Sequence, residues 1–126
     1  MASSYHFKNH QSKEVNVTEL FLRADIGATG AVTIDTAASK GIASITRNDT
    51  GDYTIQLSEA YNSLLMVDVM LLEADDTDLT HQVISQDVSN STTPTVKIGF
   101  HAAATPTDPP DGSDIYVRIT VKNSSV

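Results

Sequence analysis

Three segments of the chain alternate strictly between apolar and polar residues, namely Tyr53–Ser58, Thr95–His101 and Asp114–Lys122. Side chains of a strand point alternately to the two faces of a sheet, so each segment predicts a strand with one buried face. Weaker strands are predicted for Val15–Ala24, Ala31–Asp35, Gly41–Arg47 and His81–Val88. Turn-forming residues separate these runs, and no segments with a helical pattern of apolar residues alternate with the predicted strands. The pattern predicts an all-β fold, a two-sheet β-sandwich with a jelly-roll-like topology.

Local irregularities add detail to this prediction. In Val15–Ala24 the apolar residues change from odd to even positions, which predicts a bulge or a bend, with a helix from Thr18 as the alternative. Gly51 predicts a hairpin loop of three to five residues between Gly41–Arg47 and Tyr53–Ser58. One helical turn is predicted at Ser58–Asn62, with Ser58 as its N-cap.

The chain is divided into an arm and a single domain. Residues 1–14 are polar and carry no periodic pattern, which predicts an extended N-terminal arm before a β-sandwich domain at residues 15–126. The arm has no apolar run, so we expect no secretory signal peptide. Ala102–Ser113 holds three of the four prolines and is predicted to form a long surface loop.

Composition excludes several kinds of site. The 126 residues include no cysteine, which excludes disulfides, thiolate metal sites and cysteine nucleophiles. Eight basic residues stand against 16 acidic ones, for a net charge of −8, which argues against a nucleic-acid partner. No segment approaches the roughly 18 apolar residues of a membrane span.

Acidic and histidine residues are the candidates for chemistry. Glu73–Asp78 contains four carboxylates, and Asp108, Asp111 and Asp114 recur at intervals of three. Both groups are interpreted as solvated turns, with calcium sites as the alternative, because neither matches the spacing of an EF-hand loop. Either His81 or His101 could be the base of a catalytic triad with a serine and an aspartate, but the sequence contains no nucleophile-elbow motif. We therefore predict no catalytic residue, no metal site and no cofactor.

The segment from Leu64 to Glu73 is apolar at both odd and even positions. A sandwich strand normally has one wet face, so a second apolar face must be covered by a loop or helical turn of the same chain, or by another chain. Covering by another chain predicts an interface formed by the even positions Leu64, Met66, Asp68, Met70 and Leu72.

The arm is a second predicted interface. Tyr5 and Phe7 are candidate aromatic anchors, and Lys8 and Lys13 make the arm positively charged on an acidic chain. These features predict that the arm attaches the domain to acidic patches of a partner, with the alternative that it lies on its own domain.

Parts of the chain from residue 41 onward resemble small virion structural proteins of tailed bacteriophages. The resemblance is carried by Gly41–Arg47, Gly51–Leu57, Tyr61 with Leu64 and Leu65, and the C-terminal Tyr116–Ser125. It implies a non-enzymatic β-domain on the outside of a capsid or elsewhere in the virion. The arm and the proline-rich loop depart from the pattern of this group, which bears on the mode of attachment.

The sequence is thus interpreted as a capsid decoration or cement protein that binds the outer capsid surface of a bacteriophage and stabilises the shell. Its expected partners are the major capsid protein and further copies of itself, in a homo-oligomer with a trimer favoured over a dimer. We expect it to be made in the host cytoplasm, to be no enzyme, and to bind neither nucleic acid nor membrane. One alternative is a tail, baseplate or fibre component that binds host glycans. Another is a small β-sandwich enzyme or carbohydrate-binding module.

Overall fold

The computed structural model describes residues 16–75 and 78–123. Within these ranges the regular structure consists of strands and one turn of 3-10 helix at Ala28–Gly30. The strands are β1 (Val17–Ile26), β2 (Val32–Ile34), β3 (Ile42–Asp49), β4 (Asp52–Leu57), β5 (Ser63–Leu72), β6 (Thr80–Asp87), β7 (Thr95–Ala102), β8 (Thr105–Pro106) and β9 (Asp114–Lys122). The predicted all-β class is confirmed, and each of the predicted strands is found within a few residues of its expected position.

The strands form two antiparallel sheets that pack face to face. Sheet A has the order β2-β1-β9-β5, and sheet B has the order β3-β4-β7-β6, with β8 paired to the end of β7. The alternating apolar positions of both sheets meet in one hydrophobic core, whose largest fully buried side chains include Tyr53, Phe100, Ile55, Ile98 and Ile119. The predicted two-sheet sandwich is therefore confirmed.

The connections between the sheets define the topology. The chain crosses from sheet A to sheet B after β2 and after β5, and returns after β4 and after β8. In sheet B, the neighbouring strands β3, β4, β7 and β6 then correspond to strands A, B, E and D of a constant-type immunoglobulin sandwich. In sheet A, β5, β9 and β1 correspond to strands C, F and G. The strand equivalent to G comes first in this chain. The jelly-roll topology of the prediction is not confirmed.

Two local predictions are wrong. β1 pairs with β9 without interruption from Val17 to Asp25, so there is neither a bulge nor a helix at Thr18. The apolar phase changes because Val17 lies on the outer face of sheet A, where it is half-buried, while Leu20 begins the run of core residues. The segment 58–62 forms no helical turn, because the backbone N–H groups of Ser58, Tyr61 and Asn62 donate to carbonyl oxygens of distant segments.

The hairpin between β3 and β4 is confirmed, with a shorter loop than expected. Asp49 pairs with Asp52, which leaves Thr50 and Gly51 as the loop residues. Gly51 has a φ of +69°, and a Cβ at this position would lie 2.5 Å from the carbonyl oxygen of Phe100. Glycine is therefore required here both for the backbone conformation and for the close approach of β7.

The carboxylate of Asp108 fastens the proline-rich loop to this hairpin. Arg47 donates two hydrogen bonds to it, from Nε to Oδ1 at 3.1 Å and from Nη2 to Oδ2 at 2.8 Å, and the Gly51 N–H donates at 2.7 Å. The buried hydroxyl of Tyr53 donates to the carbonyl oxygen of Gly30 at 2.8 Å. Gly30 has a φ of +77°, and a Cβ there would collide with the Asp108 carboxyl group. One acidic side chain thus joins three segments that are distant in sequence.

These contacts determine the charge state of Asp108. Burial alone would raise the pKa of its carboxyl group, but the hydrogen bonds from Arg47 and from the Gly51 N–H outweigh burial and lower that pKa below its ordinary value. A lowered pKa in the folded state means that the carboxylate stabilises the fold above about pH 4, its pKa in an unfolded chain. This contribution is lost as the pH falls through the folded-state pKa.

We expect Asp108→Asn to lower the free energy of unfolding by about 2–3 kcal/mol at pH 7, because the Arg47 guanidinium loses its charged partner. The difference from wild type should shrink as the pH falls below about 4. Urea unfolding at a series of pH values measures both effects. Asp111→Asn, an exposed carboxylate of the same loop, is the control, and an equal loss in both variants would contradict the assignment.

Candidate interaction surface

The outer face of sheet A combines apolar and charged side chains in rows across its strands. The cross-strand register places residues of β1, β9 and β5 side by side. The two central rows are Phe21–Arg118–Asp68 and Arg23–Tyr116–Met70. Met66 and Leu72 lie in the flanking rows, beside Thr120 and Asp114 of β9. We call this surface the outer face of sheet A.

The apolar side chains of β5 on this surface are unusually exposed. Met66 and Met70 are each 57% exposed, and Leu72 is 56% exposed. The inner positions Val67, Val69 and Leu71 pack instead against the core. No segment within the described ranges covers the outer positions, so the predicted covering by a loop or helical turn is not found there. Three large apolar side chains of one strand are therefore more than half exposed on this face.

One of the predicted residues of this face lies elsewhere. The pairing of β5 with β9 shifts between Leu64 and Met66, which is a bulge at Leu65. Because the bulge changes the alternation, Leu64 packs against the core and Leu65 is 39% exposed. The even-numbered face predicted from the sequence therefore begins at Met66, and its placement of Leu64 is wrong.

An ion pair neutralises the charge in the middle of β5. Arg118 donates to Oδ2 of Asp68 from Nη2 at 2.6 Å and from Nε at 3.1 Å, and these hydrogen bonds raise the pKa of the guanidinium. Both side chains are about half exposed, so solvent screens the ion pair and it contributes little to stability. Its consequence for binding is that Asp68 presents no unpaired negative charge between Met66 and Met70.

A second charged group surrounds Arg23. Its guanidinium lies 5.6 Å from the centre of the Tyr116 ring and within 3.9 Å of carboxylate oxygens of Asp25, Asp35 and Asp114. The hydrogen bond between Asp25 and Asp114, directly opposite each other, raises the pKa of Asp25. Within the part of the chain that the structure describes, the buried Nε of Arg23 has no hydrogen-bond partner.

The outer face contains a shallow depression of about 440 Å³, whose lining includes Arg23 and Asp68. Two aromatic rings, Phe21 and Tyr116, meet Met70 there, with Arg23 and Arg118 at their sides. Sequence reasoning did not identify the residues of β1 and β9 as partners of β5, because it could not assign neighbouring strands. A signal was present in Phe21, which is apolar at a position of β1 that faces away from the core.

Other candidate residues are not brought together. Tyr5, Phe7, Lys8 and Lys13 lie outside the described residues. Asp108 is held by Arg47, whereas Asp111 is exposed in the loop and Asp114 begins β9. Among residues 16–75 and 78–123, no group of three or more histidine and acidic residues is placed to hold a metal ion.

Comparison with known proteins adds no assignment. The chain matches no protein-family model, no curated protein and no solved structure. In the described part of the chain, no helix has the length and apolar character needed to cross a membrane. The function is therefore inferred from the residues of the outer face of sheet A and from the resemblance described above.

Neighbouring positions of β5 provide a test of its two faces. We expect Met70→Lys to change the free energy of unfolding by no more than about 0.5 kcal/mol, because the added charge stays in water. Val69→Lys should lower it by about 3 kcal/mol or more, because the charge enters the core side of the sheet. Urea unfolding of the two variants measures the difference, and equal losses would show that the faces are assigned wrongly.

Proposed function

We propose that this protein is a capsid decoration or cement protein of a bacteriophage, which binds the major capsid protein on the outer surface of the virion and stabilises the shell. The outer face of sheet A is its docking surface. The protein acts by binding and carries out no reaction. Its place of action is the virion, and it is made in the host cytoplasm.

The observation that carries this proposal is the exposed apolar strand on a well-packed sandwich. Met66, Met70 and Leu72 are each more than half exposed, although the core beside them is tightly packed. Methionine side chains adapt to varied partner surfaces, and the ion pair of Asp68 with Arg118 leaves the centre of the strand without net charge. A rigid domain with one such face is suited to a structural contact repeated over a shell.

The resemblance to virion structural proteins supports the same proposal. Its segments form the β3–β4 hairpin and the central strand β9, which are elements of the framework of the sandwich. Within β9, Tyr116 and Arg118 also belong to the outer face of sheet A. A shell offers many equivalent sites. A modest affinity of each copy for its site is sufficient where contacts between neighbouring copies add to the binding.

The docking surface is tested by Met66→Lys. We expect this variant to fold as wild type does, because Met66 is exposed, and to lose at least about tenfold in affinity for capsids that lack the protein, because binding would bury an unpaired charge. Co-sedimentation of the purified protein with such capsids measures the occupancy.

Thr46→Lys is the matched control, since Thr46 is exposed on β3 in the other sheet. It adds the same charge and should leave occupancy unchanged. Unchanged occupancy in Met66→Lys would exclude the outer face of sheet A as the docking surface, and absence of capsid binding by wild type would exclude the proposed function.

A second candidate function is host-glycan binding by a tail, baseplate or fibre component. It is favoured by the depression in the outer face, which is lined by Phe21 and Tyr116 together with the side chains of Arg23 and Arg118. Sugars stack on aromatic rings and hydrogen-bond to polar groups beside them, which is the composition of this depression.

Titration with neutral oligosaccharides of bacterial surfaces, followed by NMR, tests this candidate. We expect shifts confined to residues around Tyr116 and their loss in Tyr116→Ala, because the ring is the stacking surface. Phe100, which is fully buried in the core, provides a reference signal that should not move. Absence of shifts with every oligosaccharide of the panel would remove the glycan-binding candidate and leave the capsid proposal untouched.

A further inference from the structure

One side of the sandwich is open. β5 is the last strand of sheet A and β6 is the last strand of sheet B, and both lie on the same side because they are consecutive and joined by a short connection. Every residue of β6 is exposed, on both faces of the strand. A strand of a two-layer sandwich normally buries one of its faces, so β6 lacks the layer that should cover it.

The register of β6 shows which face is uncovered. Val83 is paired with Ile98 of β7, and His81 is paired with Phe100. Paired side chains of antiparallel strands lie on the same face of the sheet, so Val83 and His81 point to the side on which Ile98 and Phe100 form the core. Yet Val83 is 40% exposed, whereas Ile98 and Phe100 are fully buried. Sheet B therefore extends beyond the cover that sheet A supplies.

Each of the two edge strands has one of the usual protections against pairing with another chain, a bulge, which lies at Leu65 in β5 and at Ile84 in β6, but each lacks the others. Edge strands are commonly guarded by lysine, by proline or by short length, whereas β5 has ten residues, β6 has eight, and neither contains Lys, Arg or Pro. Their only acidic residues are Asp68, which is bound to Arg118, and Asp87 at the end of β6. On a chain with a net charge of −8, the strands β5 and β6 themselves thus carry little of the negative charge.

We propose that two copies of this chain associate through the open side, with β6 of each copy paired to β5 of the other. A two-fold axis parallel to the strands places β6 of the second copy in the layer of sheet A, next to β5. It also places β5 of the second copy next to β6 in the layer of sheet B. Both sheets then continue through the interface, and the uncovered face of β6 is covered by the second copy.

Strand direction and size agree with this arrangement. β5 and β6 run in opposite directions because one follows the other across a short connection, and rotation about an axis parallel to the strands preserves direction. Each new pair is therefore antiparallel, as are all the pairs within the sandwich. The ten residues of β5 and eight of β6, with their flanking loops, approach the roughly 20–30 residues per partner of a stable interface.

The arrangement determines symmetry and salt dependence. Both interacting strands lie on one side of each copy, so the contact closes as a dimer and disagrees with the trimer favoured from the sequence. In the dimer, the β5–β6 connections of the two copies lie at the same end of the interface, and each connection contains Asp75 and Asp78. Because salt screens the repulsion between these carboxylates, association should strengthen as ionic strength rises.

Sedimentation equilibrium of the purified full chain, over a range of concentrations and at low and high salt, tests the dimer. We expect a monomer–dimer equilibrium that shifts toward dimer at high salt. Val83→Lys should weaken association at least about tenfold, because the dimer would bury the new charge. The monomer should fold normally, which circular dichroism and urea unfolding check, because Val83 is exposed in the single copy.

Thr46→Lys, on the edge strand at the opposite side of sheet B, is the matched control and should dimerise like wild type. Hydrogen exchange of β5 and β6 should slow with rising protein concentration in wild type, but not in Val83→Lys. A chain that stays monomeric at all concentrations, a trimer, or a dimer unaffected by Val83→Lys would overturn the proposal. Capsid binding involves the outer face of sheet A, so either proposal can fail alone.

Discussion

The carboxylate of Asp108 is the contact on which the arrangement of the long connections depends. It accepts hydrogen bonds from the Arg47 side chain and from the Gly51 N–H, so it ties the β8–β9 connection to the β3–β4 turn. Gly30, in the β1–β2 connection, lies directly against it and accepts a hydrogen bond from Tyr53. A partly buried charge is tolerated at this point because Arg47 and the Gly51 N–H donate hydrogen bonds to it and because Gly30 has no side chain to occupy its place.

This anchor positions the strand that organises the outer face of sheet A. The chain leaves sheet B after β8, is held at Asp108, and enters the middle of sheet A as β9. β9 therefore has β1 on one side and β5 on the other, and its outward residues Tyr116 and Arg118 become the centre of the surface. The loop is distinguished in the sequence by its prolines and carboxylates, and its structural role lies in the carboxylate that binds Arg47.

β5 takes part in both proposed contacts because it is exposed in two different directions. Its outward side chains, Met66 and Met70 among them, form the apolar part of the outer face of sheet A. Its free edge, in the plane of the sheet, lies on the open side next to β6. A strand in the middle of a sheet has no free edge and cannot serve the second contact. Both proposed contacts thus depend on the position of β5 at the end of sheet A.

The sequence by itself determined the strands and the face that each presents to the core. Alternation in Thr95–His101 and Asp114–Lys122 predicted strands with the correct residues inside, because alternation of side chains across a strand is a local geometric property. It also identified β5 as a strand with two apolar faces. These predictions depend only on residues that are close to one another in the sequence. They failed locally at Ser58–Asn62, where hydrogen bonds to distant strands replaced a helical turn.

The tertiary structure alone decided which strands are neighbours. Phe21, Tyr116 and Met70 come together because β1, β9 and β5 are adjacent in sheet A, and Arg47 meets Asp108 across 61 positions of the chain. The bulge that turns Leu64 toward the core depends on the pairing of β5 with β9. Such contacts follow from strand order and register, which are set by packing among distant segments and leave no periodic mark in the sequence.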